Sequence, residues 1–424
     1  MENKKLVLDV HEKPKAFQWL VLSIQHVLAM FGATVLVPIL TGLPISCALI
    51  GSGIGTLFYI FVTKSKSPVY LGSSFAYITP ISSALALSVA TGENPNFGAV
   101  SGGLILVGLV YVIIALLIRF LGTKWLDKIL PPVVIGPVIM VIGLGLAPSA
   151  VSMATEHIVV ALITLLTAIL VSTYTKGILK LLPIFSGIVV GYLSAVGFGL
   201  VDFTHVLEAN WFELPDFAFL HSAPIFNLEI ASIFIPVAIV TITEHIGDHL
   251  TLGSIIGKDL TKNPALHRTL IGDGVATALA GFIGGPANTT YGENTGVIGI
   301  TKVASVHVIK LAAIIALCLG FVGKFNALIQ TIPNPVMGGV SLLLYGIIAS
   351  SGLRVLINNK VDLGKQRNLI ICAVILVIGI GGLSISLGQV SLSGMALSAI
   401  IGIILHLILP KEKKECNCSC CNHR

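Results

Sequence analysis

Apolar residues run in stretches of about 20, the length that carries a helix across a hydrocarbon core of about 30 Å. These stretches recur from Phe17 to Pro410 with only short polar gaps. Fourteen membrane segments are predicted, starting near residues 17, 45, 69, 97, 131, 157, 181, 228, 269, 290, 303, 331, 368 and 392. The third and tenth are short and broken, by Gly72-Ser73-Ser74 and by Asn288-Thr289-Thr290-Tyr291-Gly292. Small polar and β-branched residues make poor helix starts in lipid, so extended backbone is predicted at both places. Non-helical backbone at membrane depth is tolerated only inside protein or beside a water-filled cavity, so the two broken segments should meet near the midplane. Residues 1–16 are hydrophilic and lead into the first span without a small-residue cleavage site, so no signal peptide is expected to be removed.

Composition sharpens this picture: 55% of residues are apolar and 10% charged, against roughly 25% charged in soluble domains. The net charge of +6 does not mark a nucleic-acid binder, because the bases fall in alternate connections instead of on one face. They begin with Lys4, Lys5, Lys13 and Lys15 and return at Lys64 and Lys66, Arg119, Lys124 and Lys128, Lys176 and Lys180, Lys258, Lys262 and Arg268, Lys302, and Arg354 to Arg367. The other connections carry almost no base except Lys324, and the longest, Val201 to Asn227, holds Asp202, Glu208, Glu213 and Asp216. By the positive-inside rule both termini are predicted to be cytoplasmic. Cys47, Cys318 and Cys372 read as small buried hydrophobes. Cys416, Cys418, Cys420 and Cys421 with His423 crowd the tail, where a soft metal or acylation is conceivable but a short reduced tail explains them without a role.

Weak internal echoes run through the chain. Gln25-His26 returns as Glu244-His245, Leu71-Gly72-Ser73-Ser74 as Tyr291-Gly292-Glu293-Asn294, and Pro131, Val134, Gly136 and Val138 as Pro333, Val336, Gly338 and Val340. The offsets are 219, 220 and 202 residues in the same order. Two seven-span halves would produce them, and an odd number of spans per half forces the second to be inverted, the architecture of many secondary transporters.

Acids inside spans carry the chemistry, since an ionised carboxylate at the bilayer centre costs roughly 3 kcal/mol or more. Glu244 and Asp248 lie one helical turn apart on the eighth span, with His245 and His249 one step round, and Glu293 lies in the tenth. They are expected to line a cavity, where Glu244 and Glu293 accept hydrogen bonds from a flat polar ring and Asp248 or a neighbouring histidine, His245 or His26, exchanges a proton. Glu229 and Asp273 fall near predicted span ends and read as solvated interfacial acids.

The stretch Glu293-Asn294-Thr295-Gly296-Val297-Ile298-Gly299-Ile300-Thr301-Lys302 resembles the signature of the nucleobase/ascorbate transporter family, E/Q/P-N-x-G-x-x-x-x-T-R/K/G. Gln25-His26, Tyr70 to Phe75 and Glu244 are similar to the same family, and the likeness covers nearly the whole chain. The resemblance implies an all-α polytopic protein of about fourteen spans in a 7+7 inverted repeat, with two short antiparallel strands in segments 3 and 10. It implies a cytoplasmic tail (1–16), a core domain (17–130 and 228–325), a gate domain (131–227 and 326–410) and a cytoplasmic Cys-rich tail (411–424). It places Glu244, Glu293, Phe75, Gly292, Tyr291 and Ala33 at the substrate, proton coupling on Asp248, Glu244, His245 and His26, and support on Asn294, Ser74, Gln25 and Thr295. The implied activity is proton-coupled import of uracil, with no enzyme activity, no cofactor and no metal, and a homodimer through the gate domain. Asp248 departs from the histidine common in uracil carriers toward the aspartate of purine carriers, while Glu293 departs from the purine branch's glutamine, so xanthine or uric acid is the alternative cargo.

Two other classes fit less well. An anion transporter of the sulfate-transporter type usually appends a soluble domain, and an acidic site repels its cargo. An integral-membrane enzyme would need a motif such as HExxH or GxSxG, and none occurs.

Overall fold

The computed structural model describes residues 6–87, 97–177, 179–387, 390–392 and 394–410. The tail cysteines, whose expected lack of a role is a reading of the sequence, lie outside the described residues. The first half runs α1 (Ala16–Thr41), α2 (Ile45–Val62), strand β1 (Leu71–Ser73), a 3-10 turn over Phe75–Tyr77, α3 (Ile78–Ala86), α4 (Phe97–Leu121), α5 (Lys124–Ile129), α6 (Pro132–Gly145), α7 (Ala147–Thr155), α8 (Ile158–Tyr174) and α9 (Pro183–Gly197). Short helices α10 (Thr204–Glu208) and α11 (Ala218–His221) lie in the long acidic connection. The second half runs α12 (Leu228–Ile256), α13 (Leu266–Ile283), β2 (Asn288–Thr290), α14 (Gly292–Thr301), α15 (Val306–Gly320), α16 (Gly323–Gln330), α17 (Asn334–Asn358), α18 (Gln366–Ile380), β3 (Ile385–Leu387), β4 (Val390–Leu392) and α19 (Gly394–Ile408). Among the described residues six helical stretches are long and apolar enough to cross a membrane, and further apolar helices are shorter.

Local chemistry sets these ends. Pro132 and Pro183 open α6 and α9, where a missing N–H costs nothing. The side chain of Asn227 accepts the Ile230 N–H at 2.7 Å and caps α12. Gly42 and Gly257, both at positive φ, end α1 and α12.

Helices pack in two groups. In one, α13 lies against α4 and α2, and α15 against α2 and α1; in the other, α17 lies against α6, α7, α8 and α9, and α18 against α19 and α6. The approach of α4 to α13 depends on small residues, as membrane helix pairs commonly do. A Cβ on Gly108 would stand 2.5 Å from the Gly274 carbonyl oxygen, and one on Gly274 would stand 2.3 Å from Tyr111 Cβ.

The two broken segments do meet. β1 and β2 pair antiparallel, with Leu71 opposite Thr290, Gly72 opposite Thr289 and Ser73 opposite Asn288. A two-stranded sheet has outer edges that lipid cannot satisfy, so neighbouring side chains serve them. On the β1 side, Thr56 Oγ1 accepts the Leu71 N–H at 2.9 Å and Ser52 donates to the Leu71 carbonyl at 2.6 Å. On the β2 side, Thr277 donates to the Asn288 carbonyl at 2.9 Å, while the Asn288 amide donates to the carbonyls of Gly51 and Ala276.

Three expectations need correction. A second antiparallel pair, β3 with β4, precedes the last helix. The alternation Ile385-Ser386-Leu387 and Val390-Ser391-Leu392 has the period of a strand, which the apolar run toward 392 concealed. Cys318 is exposed on α15, unlike the buried Cys47 and Cys372. Asp273 is no interfacial acid: it lies in the second turn of α13 with 0% exposure.

The segment before α1 is strapped to the linker between α14 and α15. Val7 N–H donates to the Lys302 carbonyl, Ala304 N–H to that of Leu8 and Val306 N–H to that of Val10, each at 2.9 Å. Lys258 pairs with Asp9 at 2.6 Å and holds its carboxyl below the usual range. On the opposite surface Lys324, the isolated base of its connection, donates to the Val206 carbonyl at 2.9 Å and ties α16 to the acidic loop.

Candidate functional site

Beside the β1–β2 pair lies a cavity of about 470 Å³, within the range of small-molecule sites. One wall carries Ser74, Phe75, Glu244, Asp248, Gly292 and Glu293. The opposite wall is apolar, with Ile139 and Ile142 of α6, Phe185 of α9 and Leu344 of α17, and the lining also includes Lys180 and Arg354. The cavity thus separates the two helix groups.

Each acid is placed by a different device. Glu244 and Asp248 are one turn apart on α12, both half-buried and both on the cavity wall. The Thr290 hydroxyl, projecting from β2, donates to Asp248 Oδ2. Glu293 is in the first turn of α14, where the unpaired N–H groups of a helix start favour an anion. Gly292 opens the same helix and Phe75 opens the 3-10 turn after β1, so neither N–H has an intrahelical partner. Two carboxylates, two amide donors without an intrahelical partner and a third acid converge on one cavity, a set that can accept hydrogen bonds from one edge of a ligand and donate them to another.

Tyr291 shapes the floor. Its hydroxyl lies 3.0 Å from Thr34 Oγ1 and donates to the Ser73 carbonyl at 3.1 Å, so the ring spans from β2 to β1. The ring lies directly over Gly72, where an added Cβ would be 2.4 Å from Tyr291 Cζ. Gly72→Ala is therefore expected to push the ring toward the cavity and to cost about 1–3 kcal/mol by overpacking. A thermal-unfolding midpoint equal to that of the wild type would contradict this contact.

Not every sequence candidate reaches the cavity. Ala33 is buried within α1, and it is Leu28 and Ala29 of that helix that line the wall. His26 and Asn294 are buried together, the Asn294 amide 3.0 Å from His26 Nδ1 and donating to the His26 carbonyl at 3.1 Å, so they brace α1 against α14. Gln25 is buried, and neither its amide oxygen nor its nitrogen has a partner among the described residues. Thr295 is half-buried and is not among the lining residues. His245 turns away from the cavity: its Nδ1 is 2.8 Å from Asp273 Oδ2, both side chains being fully buried.

Two residues escaped the sequence reading. Thr290 was legible as part of a strand but not as the partner of Asp248. Asp273 sits on a stripe of small and polar residues at helical spacing, Thr269, Asp273, Thr277 and Ala280, all buried. That stripe is the pattern of a helix–helix face and was the available signal.

Comparison with known proteins bears on this geometry. The family described as the Permease family matches residues 17–387. The chain is 53% identical to the uracil permease of Bacillus subtilis (strain 168) over 98% of both chains. It is 43% identical to the uracil permease of Escherichia coli (strain K12), over 95% of this chain and 93% of that one. Among solved structures, the murine Solute Carrier 26 family member A9 anion transporter in the inward-facing state superposes with a TM-score of 0.70 at 12% identity, over 93% of this chain and 68% of that one. That likeness concerns the fold alone.

Proposed function

The chain belongs to the nucleobase/ascorbate transporter family, and we propose on that premise that it imports uracil by proton symport across a bacterial inner membrane. The observation that carries the reading is the convergence of Glu244 and Glu293, from α12 and α14, on one cavity beside the free amides of Phe75 and Gly292. Uracil presents two N–H donors and two carbonyl acceptors, and carboxylates with backbone amides are their complement. The names of the relatives support uracil over the purines, and Glu293 supports it over the purine branch's glutamine. The same acidic lining disfavours an anionic cargo.

In this reading fourteen crossings form two inverted halves. The helices around the strands are the core domain, those around α6 to α9 and α17 to α19 are the gate domain, and two copies pair through their gates with all termini in the cytoplasm. A proton on Asp248 or Glu244 favours loading from outside; the core then moves against the gate and opens the cavity to the cytoplasm.

Uptake of labelled uracil by cells lacking their own carrier, at two external pH values and with unlabelled xanthine and thymine as competitors, tests the proposal. Uptake should rise at the more acid pH, collapse with a protonophore and ignore xanthine. Competition by xanthine would make the protein a purine carrier, with Asp248 as its mark.

A further inference from the structure

Behind the cavity lies a buried row of titratable groups that uracil binding does not use. His245 and Asp273 pair across α12 and α13 at 2.8 Å. One turn further along α12 toward its base-rich end, the His249 ring stacks on His245 with centroids 4.1 Å apart. His249 Nδ1 lies 2.7 Å from the His245 carbonyl oxygen, its Nε2 lies 2.6 Å from the Tyr59 hydroxyl, and that hydroxyl lies 2.9 Å from Ser67 Oγ. All five side chains are 0% exposed. Ser67 adjoins Lys66, which borders a second cavity, of about 350 Å³, together with His11, Lys258, Asp259, Lys262 and Asn263. The row thus runs from Asp273 and His245, the neighbour of Glu244 in the chain, to Ser67, the neighbour of Lys66.

Its chemistry has two states. The His245 carbonyl can only accept, so His249 Nδ1 carries a hydrogen and donates it there. In the neutral ring Nε2 then accepts from Tyr59, and the bond in which the Tyr59 hydroxyl donates to Ser67 Oγ is given up. When His249 is protonated, Nε2 donates to Tyr59 and the Tyr59 hydroxyl turns to Ser67. The two arrangements differ by one proton and by the orientation of the hydroxyl groups. At the other end the row is open: His245 Nε2 and Asp273 Oδ1 are buried and have no partner among the described residues, and such atoms are where a buried water bonds. The titratable groups that act on Asp273 from outside the row are Glu244 and Asp248 on α12, Tyr77 after β1 and Tyr111 on α4.

We propose that Asp273, His245, His249, Tyr59 and Ser67 form a proton relay that carries the coupling proton from the carboxylates of the cavity to the cytoplasmic surface, inside the core and apart from the route taken by uracil. The inference rests on the symport reading above. A proton enters at the open edge of His245 and Asp273 and rests on His245 Nε2; when the His249 ring turns, its unprotonated Nε2 takes that proton, and on turning back gives it to the Tyr59 oxygen as the Tyr59 hydroxyl proton goes to Ser67, whose own proton passes to water. Stacked rings present faces and not edges to one another, so the line is interrupted between His245 and His249 until one ring turns. That interruption prevents a standing proton leak.

Purified full-length protein in liposomes tests the relay through Tyr59→Phe, Ser67→Ala and His249→Gln. Equilibrium uracil binding should stay within about threefold, and uracil counterflow, which needs no net proton movement, should persist. Uptake driven by a pH gradient should fall at least about tenfold, with its pH profile flattened. Wild-type driven uptake and pH profile in both Tyr59→Phe and Ser67→Ala would overturn the relay. Parallel loss of counterflow and driven uptake in Ser67→Ala, the mildest change, would overturn it too, since that is what a packing role produces. Wild-type liposomes that exchange uracil without moving protons would instead overturn the symport reading and the relay with it, so the two failures are distinguishable.

Discussion

Glu293→Gln is expected to lower uracil affinity by about 10- to 150-fold, the equivalent of the 1.5–3 kcal/mol carried by a hydrogen bond to a charged group. The substitution keeps the side chain's size and its place in the first turn of α14. It removes the anion that the helix start favours and turns an acceptor-only group into one that can present an N–H to the N–H of uracil. The fold should be indifferent, because no neighbouring side chain is recorded in a hydrogen bond or ion pair with Glu293 among the described residues. Calorimetric titration of uracil into purified protein, with thermal unfolding as the control, reads both quantities. Wild-type affinity in this variant would remove Glu293 from the binding edge. A gain of xanthine binding would show that this position selects between pyrimidine and purine.

Asp248→Asn is expected to separate binding from accumulation. With one proton moved per uracil, an inward gradient of one pH unit supplies about 1.4 kcal/mol, enough for about tenfold accumulation at equilibrium, and a potential of 100 mV adds about 2.3 kcal/mol. Asparagine preserves the shape and can still accept from Thr290 through its amide oxygen, but it cannot take up a proton. The variant should bind uracil and equilibrate it without concentrating it. Full pH-driven accumulation by Asp248→Asn liposomes would place the coupling proton elsewhere, with Glu244 the next candidate on the same helix face.

Much of this architecture is written in residue order. The breaks at Gly72 and Asn288 carry poor helix formers in otherwise apolar runs, and the strands occur there. Glu244, Asp248 and Glu293 were legible because a carboxylate at membrane depth is costly enough to demand a reason. What stayed hidden depends on which way a side chain turns. His245 and Asp248 are three residues apart on one helix, yet one faces Asp273 and the other the cavity; only the packing of α13 against α4 and α2 decides this. Asp273 was misread because the start of α13 was placed three residues late, near 269, which moved a second-turn residue toward the interface.

The strand pair also sets an order of events during synthesis. β1 leaves the ribosome more than two hundred residues before β2, a wait of roughly 10–40 s at about 5–20 residues per second. Throughout that interval an unpaired strand must survive inside the bilayer. Ser52 and Thr56, which already hold the Leu71 carbonyl and N–H, precede β1 in the chain, so one edge has its partners from the moment the strand is made. The other edge, the one that β2 will complete, is left for a chaperone, an insertase or water to cover. A nascent chain arrested before residue 288 should therefore be the form of this protein most exposed to quality-control proteolysis.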